Sequence, residues 1–332
     1  MRARFVLVPI SLASALAASL AAQQRPASDY ADQPYVIERH HETLRYASDG
    51  TGVLELFVRV RVQSEAALRV FGELSLPYSS ANQTLSVDSV RVFKAGGGSV
   101  LVPSAAIQDL NGPIATEAPM YSDTRMKVVT VPSLRPGDTL QYHVTWTTRT
   151  PFAPNQFWET FNFSDDAIVL DQRVTLSVPR ATLVHFRGHG IDDPAVADSA
   201  DRRVWTWRYR NLAIATAQAP ARQRARRDHL VEVSTFSGWD ELGRWYAGLE
   251  RDREGVTPAI RARADSLVRG KTSRRDSIAA LYDFVSTGFR YVSLSFGVGR
   301  FQPHLAAEVL ANRYGELVAA AHTLGIPHPT GY

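Results

Sequence analysis

The sequence predicts an α+β chain, an N-terminal antiparallel β-sandwich followed by an incomplete, mainly helical part. Three observations predict it. Short runs of alternating apolar residues recur from Tyr35 to about residue 212, separated by turns rich in Gly and Pro. Helical periodicity takes over after about residue 229. The 332 residues are 45% hydrophobic and 21% charged, a globular balance that excludes a disordered or collagen-like chain and suits about two domains.

The first segment, residues 1–22, reads as an export signal. Arg2 and Arg4 precede an apolar stretch from Phe5 to Leu20, and Ser19, Ala21 and Ala22 are small enough for a signal peptidase site. The apolar run is interrupted by Ser11, Ser14 and Ser19 and is shorter than the ~20 residues that span a bilayer. The expected location is therefore the periplasm or the medium. The chain has no Cys, so it carries no disulfide and no Cys-ligated metal. Its formal charge of +4 falls to about +2 without Arg2 and Arg4, and its basic residues are almost all Arg, so nucleic acid is not an expected partner.

Residues 23–212 are expected to form the β domain. In Leu54–Val62 every even position is apolar, which puts one strand face on a core, and the Ser48–Gly52 turn cluster makes a hairpin from Tyr35 to Val62. Further strands are expected at Leu85–Phe93, Ser99–Val102 after the Gly96-Gly97-Gly98 turn, Lys127–Val131 and Leu140–Trp146. Others are expected at Ile168–Val178, Thr182–Phe186 and Val204–Tyr209.

Residues 213–228 read as a linker, with Arg222, Arg224, Arg226 and Arg227 forming a solvated basic cluster. In residues 229–315 helices are expected. Trp239, Leu242, Trp245, Tyr246 and Leu249 make an apolar stripe. Thr257-Pro258 supplies an N-cap and a Pro at the first helical position for a helix to about Arg269. Ser273–Asp276 is a capping box for the next helix, which Gly288 is expected to end in the left-handed conformation. Phe289–Leu294 comes next as a strand and Leu305–Tyr314 as a helix. Residues 316–332 diverge as a tail.

Several groups invite a chemical reading. Trp205, Trp207 and Tyr209 share one strand face, and core or domain interface is favoured over a sugar platform. His185 and His189 flank Gly188 in a strand end or turn, where their spacing does not suit a metal, and His40 and His41 point to opposite strand faces. Asp165-Asp166 and Asp192-Asp193 read as solvated loops. The Gly96–Gly98 run is a hairpin turn, and Phe296–Arg300 lacks the helix that a phosphate loop opens.

The order of parts resembles a bacterial architecture in which a DUF3857 domain precedes a transglutaminase-like (papain-like) domain. Pro132–Asp138 leading into a strand, and Phe236–Trp239 with Trp245-Tyr246, carry the first part of the resemblance. Leu281–Val285, Phe289–Leu294, Phe296–Pro303 and Glu308–Gly315 carry the second. The resemblance implies a Cys nucleophile at a helix N-terminus just after Gly315, with a later His and Asp. Here Leu317 stands at that position, and His322 and His328 have no nucleophile to activate.

The chain thus reads as an exported, non-catalytic protein, a truncated member of that family, with no catalytic, cofactor-binding or metal-ligating residue assigned and no cofactor. The β domain would act at most as a binding module for an envelope peptide or glycan. The other reading is an interrupted copy of an active Cys/His/Asp acyltransferase or peptidase. In either case the apolar faces at Ile278/Leu281/Val285 and Val309/Leu310 are expected to lack cover, which another chain could supply.

Overall fold

The computed structural model describes residues 30–112, 123–214, 229–253, 255–292 and 302–315. The unit from Gln33 onward holds all the named elements. Its strands are β1 (Tyr35–Tyr46), β2 (Gly52–Val62), β3 (Glu73–Ser79), β4 (Gln83–Phe93), β5 (Ser99–Leu101), β6 (Ile107–Asn111), β7 (Thr124–Thr130) and β8 (Thr139–Thr148). They continue with β9 (Trp158–Phe163), β10 (Val169–Pro179), β11 (His185–His189), β12 (Ala195–Ser199), β13 (Arg202–Asn211), β14 (His229–Ser234), β15 (Arg290–Tyr291) and β16 (Tyr314–Gly315). The helices are α1 (Glu65–Phe71), α2 (Trp239–Glu250), α3 (Pro258–Val268), α4 (Arg274–Gly288) and α5 (Ala306–Asn312).

Eight strands form one sheet in the order β12-β13-β10-β1-β2-β8-β4-β5. β1 pairs antiparallel with β2 on one side and parallel with β10 on the other, with Leu44 opposite both Leu54 and Leu176. The alternation legible in β2 places Leu54, Leu56, Val58, Val60 and Val62 on a single face, because its pairing with β8 runs without a bulge. Two larger hydrophobic cores lie on that face, and a third, small cluster joins Val285 of α4 to Val309 of α5. One joins Val60, Val62, Val92 and Leu140 to Leu74, Leu76 and Val129 of a three-stranded sheet ordered β3-β7-β6, with Phe71 of α1. The other joins Leu44, Leu176, Trp205 and Trp207 to Phe161, Phe163, Val231 and Val233 of a second small sheet ordered β11-β14-β9. The opposite face is polar, with Arg59 on Glu38 at 2.9 Å and His41 on Asp171 at 2.8 Å.

The structure corrects the expected fold class. The described residues are 46% strand and 22% helix, a β-rich fold built on one large mixed sheet, and no helical transglutaminase-like fragment is indicated. The antiparallel sandwich gives way to a sheet that contains the parallel β1–β10 pair. Alternation along a strand shows that it is half-buried, but not which strand it pairs with. The region read as helical opens on the strand β14, which belongs to the second small sheet.

Local signals in the helices fared better. Thr257 caps α3 by accepting from the Ile260 N–H, and Ser273 caps α4 by accepting from the Asp276 N–H. Gly288 does not end α4 in the left-handed region, since Phe289 leaves in extended conformation; the left-handed cap is Arg313, after α5. Ile260, Val285 and Val309 are buried while Ile278 and Tyr282 stay exposed.

The Pro136-Gly137-Asp138 turn shows how sequence dictates local structure here. Gly137 takes φ 94°, a conformation that favours glycine. The buried Asp138 carboxylate accepts from the Lys94 ammonium and from the backbone N–H groups of Ala95 and Arg135, the last two at 3.1 and 3.0 Å. Burial works to raise its pKa, but these bonds and the Lys94 charge outweigh it and hold the carboxyl below the ordinary carboxylate value. Asp138→Ala should therefore cost about 2–3 kcal/mol in urea unfolding at neutral pH, because three donors lose a charged acceptor. In the parent protein this contribution is present above the unfolded-state pKa of about 4 and is lost as pH falls through the lower folded value. A urea midpoint unchanged by the substitution would contradict that role.

Candidate functional site

A site is built around β9, the outer strand of the second small sheet. Its sequence, Trp-Glu-Thr-Phe-Asn-Phe, divides by alternation. Phe161 and Phe163 point into the core, while Thr160 and Asn162 are exposed on the other face with Trp158. The loop before β9 is held by the β1–β2 turn. Gly50, at φ 84°, lies so close that a Cβ there would sit 2.6 Å from the Gln156 carbonyl oxygen, and the Asn155 N–H donates to the Asp49 carbonyl at 3.1 Å. The Asp49 carboxylate in turn accepts from the Thr51 N–H and hydroxyl, at 2.9 and 2.6 Å.

A side-chain network joins β9, β14 and α2. The Thr235 hydroxyl donates to Gln156 Oε1 at 2.6 Å and accepts from the Phe157 N–H at 2.9 Å. Gln156 Nε2 donates to Glu241 at 3.0 Å, and the other Glu241 oxygen accepts from the Ser237 N–H and hydroxyl at 2.8 and 2.7 Å. These Ser237 bonds hold the Glu241 carboxyl below its ordinary value. The first turn of α2 is thus fixed beside β9.

Between them lies an apolar groove of about 580 Å³, lined by Trp158, Phe236, Trp239, Leu242, Trp245 and Tyr246, with Thr160, Glu232 and Ser234 on the strand side. Trp158, Phe236 and Trp245 pack on one another with ring centroids 5.3–5.8 Å apart. Trp239 stands out at 85% exposure. A second, polar cavity of about 340 Å³ lies along the same strand, sharing Trp158, Glu159 and Thr160 and adding Tyr46, Gln83, Thr148, Phe152, Gln156 and Asn162.

The polar side carries perturbed acids. Tyr46 stacks on Phe157 at 3.9 Å and donates to Glu159 at 2.8 Å; burial, then the Glu159 charge and bond, push its hydroxyl well above the ordinary value. Glu42, also on β1, is pushed up to about 7 by burial and then by Glu159. His40 Nε2 lies 3.5 Å from Glu42, and burial, then His41, lower His40 to about 4. Near neutral pH His40 is thus uncharged, while Glu42 is partway through its titration.

The groups singled out in the sequence fall elsewhere. Trp205 and Trp207 are core, as favoured, and Tyr209 packs beside them. His40 and His41 do diverge, one to Glu42 and one to Asp171. His185 and His189 lie on β11, and among the described residues no group of three or more potential ligands gathers. Asp165 is more than a solvated loop residue, because it accepts from the Tyr209 hydroxyl at 2.7 Å and lies 2.7 Å from His229 Nδ1, tying β13 to β14. Asp192 and Asp193 are exposed. The basic linker residues, Phe296–Arg300, Leu317, His322 and His328 lie outside the described residues. The residues that make the groove were legible only as the stripe on α2; β9 and β14 were missed.

The charge on Glu159 has a measurable consequence. Glu42 has an ordinary pKa of 4.5 and a folded value of about 7, so its contribution to stability is present below 4.5 and lost as pH rises through 7. Glu159→Gln removes one of the two causes and should move the Glu42 carboxyl-carbon titration downward, reducing the stability lost over that window. An unmoved Glu42 titration would show that burial alone sets it.

Comparison with known proteins places this geometry. The family model DUF3857, a domain of unknown function with a solved structure, matches residues 48–216, which run from β2 through β13. No family model shows a transglutaminase-like domain. No curated protein matches the sequence. A crystal structure described as "a putative protease" from Parabacteroides distasonis is similar in fold, with TM-score 0.74 and 17% identity over 88% of this chain and 58% of that one. The chain therefore spans less than two thirds of that protein's length. An M1 zinc metallopeptidase from Deinococcus radiodurans aligns at 11% identity over 61% of this chain and 42% of that one, and its TM-score of 0.33 is too low to carry an argument.

Proposed function

The chain belongs to the DUF3857 family, and from that premise we propose that it is an exported binding module, acting outside the cytoplasm after removal of residues 1–22 and without thiol catalysis. The observation that carries the reading is the apolar groove between β9 and α2, with Trp239 exposed at its rim. A large aromatic left in water next to a concave apolar surface gains by covering both, and aromatic anchors dominate binding energies where they are desolvated. The network through Gln156, Thr235 and Glu241 favours the same reading, since it fixes the groove wall before a ligand arrives. The zero Cys count leaves these 332 residues without a thiolate, and the perturbed pair His40–Glu42 has no nucleophile assigned to it.

The test uses the apolar dye anilinonaphthalene sulfonate with the full chain. Its emission should rise with the parent protein, and Trp239→Ala should bind it about tenfold more weakly. Because Trp239 is exposed, the unfolding midpoint should stay where it is. Equal dye affinity in parent and variant would sink the assignment of the groove.

A further inference from the structure

The polar cavity beside the groove gathers hydrogen-bonding groups that the groove reading does not use. Gln83 from the start of β4, Thr148 from the end of β8, and Thr160 and Asn162 from β9 all line it. Gln83 and Thr148 lie opposite each other in the β4–β8 ladder, and the Gln83 amide donates to the Thr148 hydroxyl at 3.5 Å. Asn162 engages the protein through its main-chain carbonyl, which accepts from the buried Gln172 amide at 2.9 Å. Among the described residues the Asn162 side-chain amide and the Thr160 hydroxyl meet no protein partner. Phe152 and Trp158, with ring centroids 6.3 Å apart, also line the cavity.

The walls are set in advance. The buried Asn82 accepts from the Arg149 N–H on its carbonyl at 2.8 Å and donates from its side-chain amide to the Thr150 carbonyl at 3.0 Å. These bonds pin the segment that carries Thr148 and Phe152, as Gln172 pins the end of β9, so little ordering is left for a ligand to impose. Charge narrows the class of that ligand. No Lys, Arg or His is among the described residues that line the cavity, and the guanidinium of nearby Arg149 donates to the Ser80 carbonyl at 3.3 Å. An anion would lose its water here with no cation to meet it. The Glu159 carboxylate already accepts from the Tyr46 hydroxyl. What remains is a set of amides and hydroxyls that both donate and accept, next to aromatic rings. At about 340 Å³ the cavity lies at the small end of the ~300–1,000 Å³ typical of ligand pockets.

From this juxtaposition we infer that the polar cavity binds a short, uncharged saccharide. Its hydroxyl groups meet Asn162, Thr160 and Thr148, and the apolar face of a sugar ring lies toward Phe152 and Trp158. The inference goes beyond the groove reading and does not rest on it.

The probes are two neutral disaccharides, cellobiose and diacetylchitobiose, titrated calorimetrically into the full chain. At least one should bind at a single site, and Asn162→Ala should weaken it about tenfold. Thr160→Val, which keeps the side-chain shape and suits a strand, should weaken it in the same direction, so a misfolded Asn162→Ala would not blunt the result. A cellobiose analogue with a carboxylate in place of one hydroxymethyl group should bind at least about tenfold more weakly than cellobiose. If neither disaccharide binds, the site is overturned. Binding that both substitutions leave unchanged overturns the cavity as its place, and a carboxylate analogue that binds as tightly overturns the uncharged class. The dye experiment fails or succeeds separately: Trp239-dependent dye binding without saccharide binding sinks this site alone, and the opposite pattern sinks only the groove.

Discussion

The parallel pairing of β1 with β10 brings together segments some 130 residues apart, and every later feature depends on it. On its other edge β1 continues antiparallel into β2, β8 and β4, so one central strand joins two hairpin-rich stretches into a single sheet. A sheet with one apolar face must bury that face. Here the face is too wide for one lid, and two small sheets share it, β3-β7-β6 over one half and β11-β14-β9 over the other. Among the described residues β9 stands at the edge of its lid, next to β14.

An open strand edge is a hazard in a folded protein, because its unpaired groups invite other chains. Here the hazard is limited at one end by Gln172, whose amide takes the Asn162 carbonyl and the Ser164 N–H. The neighbouring stretch of β9 lies where the aromatic groove and the polar cavity meet. At this place the chain is held by the close approach at Gly50 and by the Thr235–Gln156–Glu241 bonds. The buried acids fit the same logic. Burial, and then the nearby Glu159, lets Glu42 hold its proton up to about pH 7, while the Tyr46 hydroxyl donates to Glu159.

Much of the local structure was legible in the residues. The β1–β2 hairpin, the Gly96–Gly98 turn, the Thr257 and Ser273 caps and the burial of Trp205 and Trp207 all follow from side-chain alternation or from capping chemistry over a few residues. The fold class did not follow. Family-like stretches after Leu281 suggested a transglutaminase-like part, whereas the structure is a β-rich DUF3857 fold. β9 and β14 escaped notice because each is six residues long and mixes its pattern. In β9 the aromatic Trp158 lies on the outer face, opposite the core residues Phe161 and Phe163, so simple apolar alternation fails.

By itself, then, the sequence determined which residues turn, which cap a helix and which strand faces are apolar, because those properties depend on dihedral preference and on spacing of about two or 3.6 residues. It also determined that these 332 residues contain no thiol. Only the tertiary structure decided that β1 lies between β2 and β10, that Trp158 of one strand and Trp245 of a helix meet at 5.3 Å, and that Glu42 sits near enough to Glu159 to hold a proton. Those outcomes depend on pairing and burial between residues distant along the chain, where no local period carries information and free energy is set by what each group displaces from water.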